Sequence, residues 1–251
     1  MGVLNVTPDS FSDGGRFASV DAAATRAREM VDQGADLIDV GGESTRPGAD
    51  DIQADEESSR VVPVVERIAS LGVPISIDTR KAVVAKAALD AGASVVNDVS
   101  GGAFDPQMLP LVADRGVPVV LMHMRGTPKT MDSLTGYDDV VVDVRAELRE
   151  RVAAAIRAGV EVSSIYLDPG LGFAKTADQS LELLRRIDEL RGFPLVVGPS
   201  RKRFIGGELA DRLEGTLAAV AWCAMHGVDL VRVHDVKEAR RVVDTIGAIR
   251  G

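Results

Sequence analysis

The segment "VPISIDTRKAVVAKAALDAGASVVND", residues 73–98, contains one complete unit of the repeat that decides the fold. Two nearly continuous apolar runs, Pro74–Asp78 and Ser94–Asp98, flank a segment of helical period, Ala82–Ala91. Continuous rather than alternating apolar runs are typical of parallel strands that are buried on both faces. Gly92 follows the helical segment directly, and glycine is a common signal for the end of a helix. The segment therefore predicts a strand, a helix and a second, parallel strand.

The same unit recurs along the whole chain. Further strands are predicted at Gly2–Val6, Asp36–Val40, Pro118–Met122, Ile165–Asp168, Leu195–Val197 and Leu230–His234. Further helices are predicted at Asp21–Gln33, Glu56–Leu71, Asp138–Ala158, Gln179–Leu190 and Glu214–His226. Eight strands alternating with helices in 251 residues predict an α/β protein, a (β/α)₈ TIM barrel with one domain over residues 1–251. A doubly wound sheet is the alternative, but the sequence after the first strand lacks the glycine-rich dinucleotide fingerprint.

Composition excludes several classes of partner. A net charge of -9 argues against binding to nucleic acid, which requires a basic surface, and against a polybasic membrane anchor. One cysteine rules out an intramolecular disulfide framework, and three histidines argue against a zinc cluster. Cys223 lies in an apolar helical stretch and is expected to be a buried small hydrophobe. No signal peptide or membrane-spanning apolar run is visible, so a cytoplasmic protein is expected.

Polar residues stand at the carboxyl ends of all eight predicted strands, which is where TIM barrels build their active sites. Asp78, Asn97 and Asp168 can accept from and donate to the edge of a flat heterocycle that is rich in N–H groups. Arg232 and His234, with Asn5 beside them in a closed barrel, suit a phosphate group. The strand ends therefore predict a site for an amide-rich ring that carries a phosphate ester.

The stretch "VVGPSRKRFIG", residues 196–206, places three cations after the seventh strand of an acidic protein. We expect Lys202 to face the mouth of the barrel and Arg203 to face solvent. Alternation along the chain turns Arg201 away from Lys202, toward a supporting carboxylate. His123, in "LMHMRG", is equally consistent with a packed barrel residue and with a site residue. The loops 7–20 and 41–55 are long enough to carry function.

Several motifs resemble those of the dihydropteroate synthase family, and they occur in family order from residue 1 to the C-terminus. They are "MGVLNVTPDSFSDGG", "DVGGESTRPGA", "SIDT", "VNDVSGG", "LMHMRGTPKTM", "LDPGLGFAKT", "GPSRKRFIG" and "VRVHDV". The resemblance implies a folate-pathway TIM barrel, the target of sulfonamides. Its members join 6-hydroxymethyl-7,8-dihydropterin diphosphate to p-aminobenzoate, giving 7,8-dihydropteroate and pyrophosphate, with help from Mg²⁺.

The resemblance also assigns roles to individual residues. The residues matching the pterin site are Asp78, Asn97, Met122, Asp168, Lys202 and Arg232. Those matching the p-aminobenzoate side are Thr45, Arg46, Pro47, Phe173, Ser200 and Lys202. Those matching the diphosphate end are Asn5, Arg232 and His234, with Asn5 and aspartates of the loop after strand one as protein ligands of Mg²⁺. Asp78, Lys202 and Arg232 are expected to act in catalysis.

Two other functions fit the same fold. A pterin-binding methyltransferase domain needs no p-aminobenzoate loop, so "GGESTRPGA" and "SRK" count against it. A non-catalytic pterin-binding paralogue would be favoured by loss of Asn5, Asp78, Lys202 or Arg232, and all four are present. The family usually forms homodimers through late helices, and "GTLAAVAWCAMHG" is apolar enough to contribute.

Overall fold

Parallel strands form a closed ring in the computed structural model, which describes residues 1–7 and 15–251 and only the backbone of residues 15–19. The strands of the described part are β1 (Gly2–Asn5), β2 (Ile38–Gly41), β3 (Ile75–Asp78), β4 (Val95–Asp98), β5 (Val119–Met122), β6 (Ile165–Asp168), β7 (Val196–Val197) and β8 (Leu230–Val231). Strands β1 to β6 pair in order as one sheet, and β7 pairs with β8. The predicted (β/α)₈ TIM barrel is confirmed.

Two isolated bridges close the ring between these sheets. Leu167 pairs with Leu195, which joins β6 to the start of β7, and Gly2 pairs with Val233, which joins β1 to β8. Although β8 ends at Val231, Val233 N–H still donates to the Met1 carbonyl oxygen at 3.0 Å. Backbone pairing of the eighth strand therefore extends to Val233, one residue short of the predicted end at His234. The residues that follow lie at the mouth of the barrel.

A helix follows each strand and covers the outside of the ring. The helices are α1 (Gly15–Asp32), α2 (Ala54–Ile68), α3 (Ala82–Asp90), α4 (Met108–Arg115), α5 (Val140–Arg157), α6 (Ala177–Arg185), α7 (Leu213–Met225) and α8 (Val236–Arg250). Helix α1 begins six residues before the predicted Asp21, because residues 16–20 contain no glycine or proline to stop it. The part of that first long loop at residues 8–14 lies outside the described residues. Within the described chain, no helix is long and apolar enough to cross a membrane.

The interior of the ring is apolar at its base and polar at its mouth. Met1, Leu37, Val120 and Val196 form a buried cluster inside the barrel, against which Val95, Tyr166 and Leu230 pack. Side chains two residues apart on a strand point to the same face. Five residues of this group, Leu37, Val95, Val120, Tyr166 and Leu230, are each followed two positions later by a residue that is polar or borders the site. These later residues are Asp39, Asn97, Met122, Asp168 and Arg232, respectively. The strand period therefore places these side chains in the next layer toward the mouth.

Candidate functional site

The Arg232 guanidinium lies at the centre of the mouth and binds two carboxylates. Its Nε donates to Asp39 Oδ2 and its Nη2 donates to Asp78 Oδ2, each at 2.6 Å. Asn97 Nδ2 donates to the same Asp39 oxygen at 3.1 Å. The ends of β2, β3, β4 and β8 are thus joined in one network, in which Arg232 binds Asp39 and Asp78 and Asp39 binds Asn97. The structure brings together the predicted residues Asp78, Asn97 and Arg232.

Asp39 is a residue that the sequence reasoning missed. It is fully buried, and its Oδ1 makes no hydrogen bond with any residue in the described chain. A buried acceptor of this kind requires a donor, which a water or a ligand N–H would supply. The signal was present in the sequence, because Asp39 is a charged residue inside the predicted strand Asp36–Val40 and lies two positions after Leu37.

Burial controls the protonation of the carboxylates in the mouth. Desolvation raises the pKa of Asp78 to about 7, although the neighbouring Arg232 opposes the shift. Desolvation also raises the pKa of Asp168, while the hydrogen bond from Gly170 N–H to its Oδ1, at 2.7 Å, acts in the opposite direction. Both groups are therefore poised to gain stability from a cation or an N–H donor that enters the mouth.

Lys202 is distinct among the three cations that follow β7. Arg201 forms an ion pair with Asp235 at 2.6 Å, as predicted, and the exposed Arg203 lies 3.4 Å from Asp132. Lys202 Nζ makes no hydrogen bond or ion pair within the described residues, and it lies 4.2 Å from the centroid of the Phe173 ring. Burial lowers the pKa of Lys202 to about 8, against the attraction of Asp168. The mouth therefore contains one ammonium group with unused donors.

The backbone of the "SRK" turn determines where Lys202 points. Arg201 has a φ of 56°, in the left-handed region that residues with a side chain rarely adopt. Its N–H donates to Thr216 Oγ1 at 3.0 Å, and its carbonyl oxygen accepts from Arg212 Nη1 at 3.1 Å. Together with the Arg201–Asp235 ion pair, these contacts hold the strained residue in place. These contacts hold the turn without using the Lys202 side chain.

Ser200 and His234 form a small polar corner beside this turn. Ser200 Oγ lies 2.9 Å from His234 Nδ1 and accepts from His234 N–H at 3.2 Å. Burial lowers the pKa of His234 to about 4, so the ring is neutral near pH 7. Because Ser200 Oγ already accepts from the backbone, it can donate to Nδ1, which leaves the His234 Nε2–H as a donor for a ligand. Ser200 contacts His234 rather than the Phe173 side of the mouth.

The loop after β6 is organised around the buried ammonium of Lys175. Lys175 Nζ donates to the carbonyl oxygens of Gly170 and Phe173, at 3.1 and 2.9 Å, and lies 2.9 Å from His123 Nδ1. His123 Nε2 lies 3.0 Å from Glu147 Oε2. A Cβ added at Gly170, whose φ is +67°, would overlap the His123 carbonyl oxygen. His123 thus supports the loop that carries Phe173, which favours the packed interpretation of this residue.

Met122, which was predicted to line the pterin pocket, belongs to a buried apolar cluster that is separate from the main core. Val99, Met122, Met124, Met131 and Ala174 are buried together, and Phe173 packs against them. Met122 was predicted to contact the pterin and Phe173 to contact p-aminobenzoate. The structure places both residues in the same apolar cluster. Asp168 and Lys202 are coupled electrostatically, and the Lys202 ammonium lies against Phe173.

The loop 42–53 carries Thr45, Arg46 and Pro47, of which Arg46 and Pro47 are exposed. Gly48 N–H donates to the Pro128 carbonyl oxygen at 2.9 Å, so the loop reaches the segment after β5. Within the described part of the chain, no hydrogen bond or ion pair joins these three residues to Phe173, Ser200 or Lys202. The structure therefore does not bring these three predicted residues into direct polar contact with the rest of the p-aminobenzoate set.

The described residues of the mouth offer few protein ligands for a metal ion. Among residues 1–7 and 15–251, no group of three His, Cys, Asp or Glu side chains could hold one. Asn5, at the end of β1, is half-buried and its side-chain amide makes no hydrogen bond within the described chain. The predicted loop-one aspartates, Asp9 and Asp13, lie outside the described residues. Asn5 thus offers one available oxygen, which fits a cation that is held mainly by a ligand's phosphate oxygens.

Comparison with known proteins gives a consistent result. Residues 1–234 match the family of pterin binding enzymes. The dihydropteroate synthase of Bacillus subtilis is 49% identical over 256 residues, which cover 99% of this chain and 87% of that protein. A dihydropteroate synthase structure from Clostridium difficile, determined in the presence of pteroic acid, has a TM-score of 0.93 and 45% identity. That similarity covers 99% of this chain and 95% of the other.

A second solved structure is that of a dihydropteroate synthase from Xanthomonas albilineans with 4-aminobenzoic acid. It has a TM-score of 0.93 and 43% identity, and the similarity covers 100% of this chain and 92% of the other. Both the backbone and the sequence of this chain are therefore similar to those of dihydropteroate synthases over almost their full length.

Proposed function

The chain belongs to the pterin binding enzyme family, as one of its dihydropteroate synthases, and on this basis we propose how its residues hold the two substrates and assist the reaction. These transferases join 6-hydroxymethyl-7,8-dihydropterin diphosphate to p-aminobenzoate and release pyrophosphate. The observation that carries the proposal is the meeting of Asp39, Asp78, Asn97 and Arg232 at one point of the mouth, beside the unpaired Lys202.

The pterin occupies the deep part of the mouth. Its proposed contacts are Asp78, Asn97, Met122, Asp168, Lys202 and Arg232. The ring edge carries several N–H groups, and the carboxylates of Asp78 and Asp168 are acceptors that burial leaves short of partners. Asp39 Oδ1 adds a third buried acceptor in the same layer. The planar Arg232 guanidinium can stack on the ring while it keeps its hydrogen bonds to Asp39 and Asp78.

p-Aminobenzoate lies nearer the rim, between Phe173 and the loop 42–53. Its proposed contacts are Thr45, Arg46, Pro47, Phe173, Ser200 and Lys202. The Phe173 ring offers an aromatic surface, and the adjacent Lys202 ammonium offers an unused cation. The X. albilineans relative was solved with 4-aminobenzoic acid, which supports a site for the same molecule in this chain.

The diphosphate lies toward β1 and β8, where Asn5, Arg232 and His234 are proposed to bind it. The neutral His234 ring can donate one hydrogen bond through Nε2, and Arg232 supplies positive charge. Because Arg232 already neutralises two carboxylates, its net attraction for phosphate is reduced. We therefore assign Mg²⁺ to this end, with Asn5 as the protein ligand and diphosphate oxygens as the main ligands. The ion would neutralise charge on the leaving group.

The chemical step requires no protein nucleophile. The C–O bond between the pterin methylene and the diphosphate breaks, and its electron pair leaves with pyrophosphate. The aniline nitrogen then forms a bond to the methylene carbon and loses a proton, by an SN1-like route. Asp78, when ionised, stabilises positive charge on the pterin, while Arg232 and Lys202 orient the two rings and balance negative charge. These are the three residues with a proposed catalytic role.

The direct test is to incubate the protein with the dihydropterin diphosphate, radiolabelled p-aminobenzoate and Mg²⁺. We expect labelled dihydropteroate and pyrophosphate in equal amounts. The matched control replaces the diphosphate ester with the free 6-hydroxymethyl pterin, which lacks the leaving group and is expected to give no product. Absence of product with the complete mixture, while the pterin diphosphate still binds, would instead indicate a non-catalytic pterin-binding protein.

Homodimer formation through the late helices is part of the same proposal. Trp222 and Met225 on α7 are 39% and 56% exposed, and Ile249 on α8 is 74% exposed, which is unusual for large apolar side chains. Sedimentation equilibrium is expected to give twice the 26.5 kDa mass of the chain. A monomer at micromolar concentration would contradict this expectation. One catalytic domain over residues 1–251 and a cytoplasmic location stay predictions.

A further inference from the structure

Arg80, directly after β3, is the largest fully buried side chain in the described part of the molecule. Its Nε donates to Glu43 Oε2 at 3.2 Å, and its Nη2 donates to Asp51 Oδ1 at 2.5 Å. The Phe104 ring lies 4.2 Å from its guanidinium carbon. The forked guanidinium suits such a role, because it can bind two carboxylates and an aromatic face at the same time.

The two carboxylates stand at opposite ends of the loop 42–53. Glu43 begins the loop and Asp51 lies near its end, so Arg80 ties the two ends together. Glu43 Oε1 also accepts from Ile52 N–H at 3.0 Å, which makes a second link across the base. The residues between these links form a closed loop whose base is held over the end of β3. Thr45, Arg46 and Pro47 are part of that loop.

The ion pair made by Asp50, the neighbour of Asp51, is weaker than the buried Arg80–Glu43 pair. The ion pair between Asp50 and Lys129 joins side chains that are 88% and 55% exposed, so solvent screens it. The side chains of Arg80 and Glu43 are only 2% and 5% exposed, and their attraction is screened far less. The buried Arg80–Glu43 pair therefore holds the loop more strongly than the exposed Asp50–Lys129 pair does, and Arg80 extends this link to Asp51.

Arg80 can be separated from the neighbouring structural contacts. Lys81 Nζ binds Glu43 at 3.0 Å and Glu57 on α2 at 2.6 Å, and neither contact involves Arg80. Without Arg80, Lys81 would still attach the start of the loop to α2. The contact that would be lost completely is the one to Asp51, which holds the far end of the loop.

We propose that Arg80 is a positioning residue for the second substrate: by joining Glu43 to Asp51, it holds Thr45–Pro47 where p-aminobenzoate binds. Within the described chain, no hydrogen bond or ion pair joins Arg80 to a proposed pterin or diphosphate residue, so its effect should be confined to one substrate. The inference rests on the proposed function, because it assumes that this loop faces p-aminobenzoate.

The test is steady-state kinetics of Arg80→Met with each substrate varied in turn. We expect the KM for p-aminobenzoate to rise about 10- to 100-fold, which is the cost of a small misplacement of a binding group. The Kd of the pterin diphosphate, measured by titration calorimetry, should stay at the wild-type value. Arg80→Lys keeps the charge but cannot bind both carboxylates, so its KM should lie between those of the wild type and Arg80→Met. Arg67→Met, which removes an exposed ion pair between Arg67 on α2 and Asp21 on α1, is the matched control and should behave as the wild type.

Asp51→Asn keeps the test decisive if Arg80→Met does not fold, because Asp51 is half-exposed and its replacement is mild. It should raise the same KM in the same direction by a smaller factor. An unchanged KM for p-aminobenzoate in folded Arg80→Met, or in Asp51→Asn, would overturn the inference. So would an equal rise in the KM of both substrates. An inactive wild-type protein would refute the proposed function instead, so the two failures are distinguishable.

Discussion

Replacing Lys202 with methionine is expected to lower kcat/KM by about 100-fold or more while the protein stays folded. Methionine keeps an apolar stem of similar length beside Phe173 but removes the ammonium, which has no other ion-pair partner in the described chain. Because no protein carboxylate loses a hydrogen bond from Lys202, stability should change little. The measurement is steady-state turnover together with thermal unfolding followed by circular dichroism.

Arg203→Met is the matched control for this substitution. Arg203 is the adjacent cation, but it is 66% exposed and only weakly paired with Asp132, so its loss should leave turnover at the wild-type value. Wild-type rates in Lys202→Met, or an equal loss in both variants, would show that the mouth does not use this ammonium.

The pH dependence gives a second readout of the same group. Burial lowers the pKa of Lys202 to about 8, so the cation is present below this pH and is lost above it. The wild-type kcat/KM is therefore expected to decline above about pH 8, by about tenfold per unit once the neutral amine predominates. Lys202→Arg stays charged throughout this range and should show no such decline, whatever its absolute rate. A decline at the same pH in both proteins would assign the titration to another group.

Arg232→Met should have a large effect on both stability and turnover. It leaves the fully buried Asp39 and the nearly buried Asp78 without their shared counterion. Removing one partner of a buried ion pair typically lowers the free energy of unfolding by about 3–5 kcal/mol. The affinity for the pterin diphosphate should fall more than the affinity for p-aminobenzoate, because Arg232 is proposed to contact both the pterin and the diphosphate. Urea unfolding and titration calorimetry would measure the two effects.

A double variant separates these effects. Adding Asp39→Asn to Arg232→Met removes one of the two unpaired charges and should restore part of the stability, but not the binding. Arg240→Met, which breaks exposed ion pairs with Asp36 and Asp244, should change the free energy of unfolding by less than about 1 kcal/mol. Wild-type affinity for the pterin diphosphate in Arg232→Met would refute the assignment of Arg232.

Much of the fold was predictable because its signals are local. Each buried strand is a short apolar run, and Gly92 and its counterparts end the helices between them. The start of α1 was not predictable from such signals, because residues 16–20 contain no glycine or proline that would mark a boundary. The pairing of β8 beyond Val231 depends on Met1, which is 232 positions earlier than Val233 in the chain.

The candidate site was predictable to the level of its strand ends. Asp78, Asn97 and Arg232 were identified and do meet, but Asp39 was overlooked, although it binds two of them. The sequence also did not indicate that Lys175 and His123 support the loop of Phe173, or that Arg80 closes the base of the loop 42–53. The contacts of Lys175 with His123 and of Arg80 with Glu43 and Asp51 join residues from different β/α units, which no periodicity relates.

The sequence by itself determined the barrel, the end of it that carries the site, and the residue types that line the mouth. Strand period and helix stop signals act over a few residues, so they can be seen without coordinates. Only the tertiary structure decided how the charges pair: Arg232 with Asp39 and Asp78, Arg201 with Asp235, and Lys202 with no carboxylate of the described chain. The reason is that an ion pair depends on a distance of a few ångströms between side chains, and the closing of the ring sets that distance.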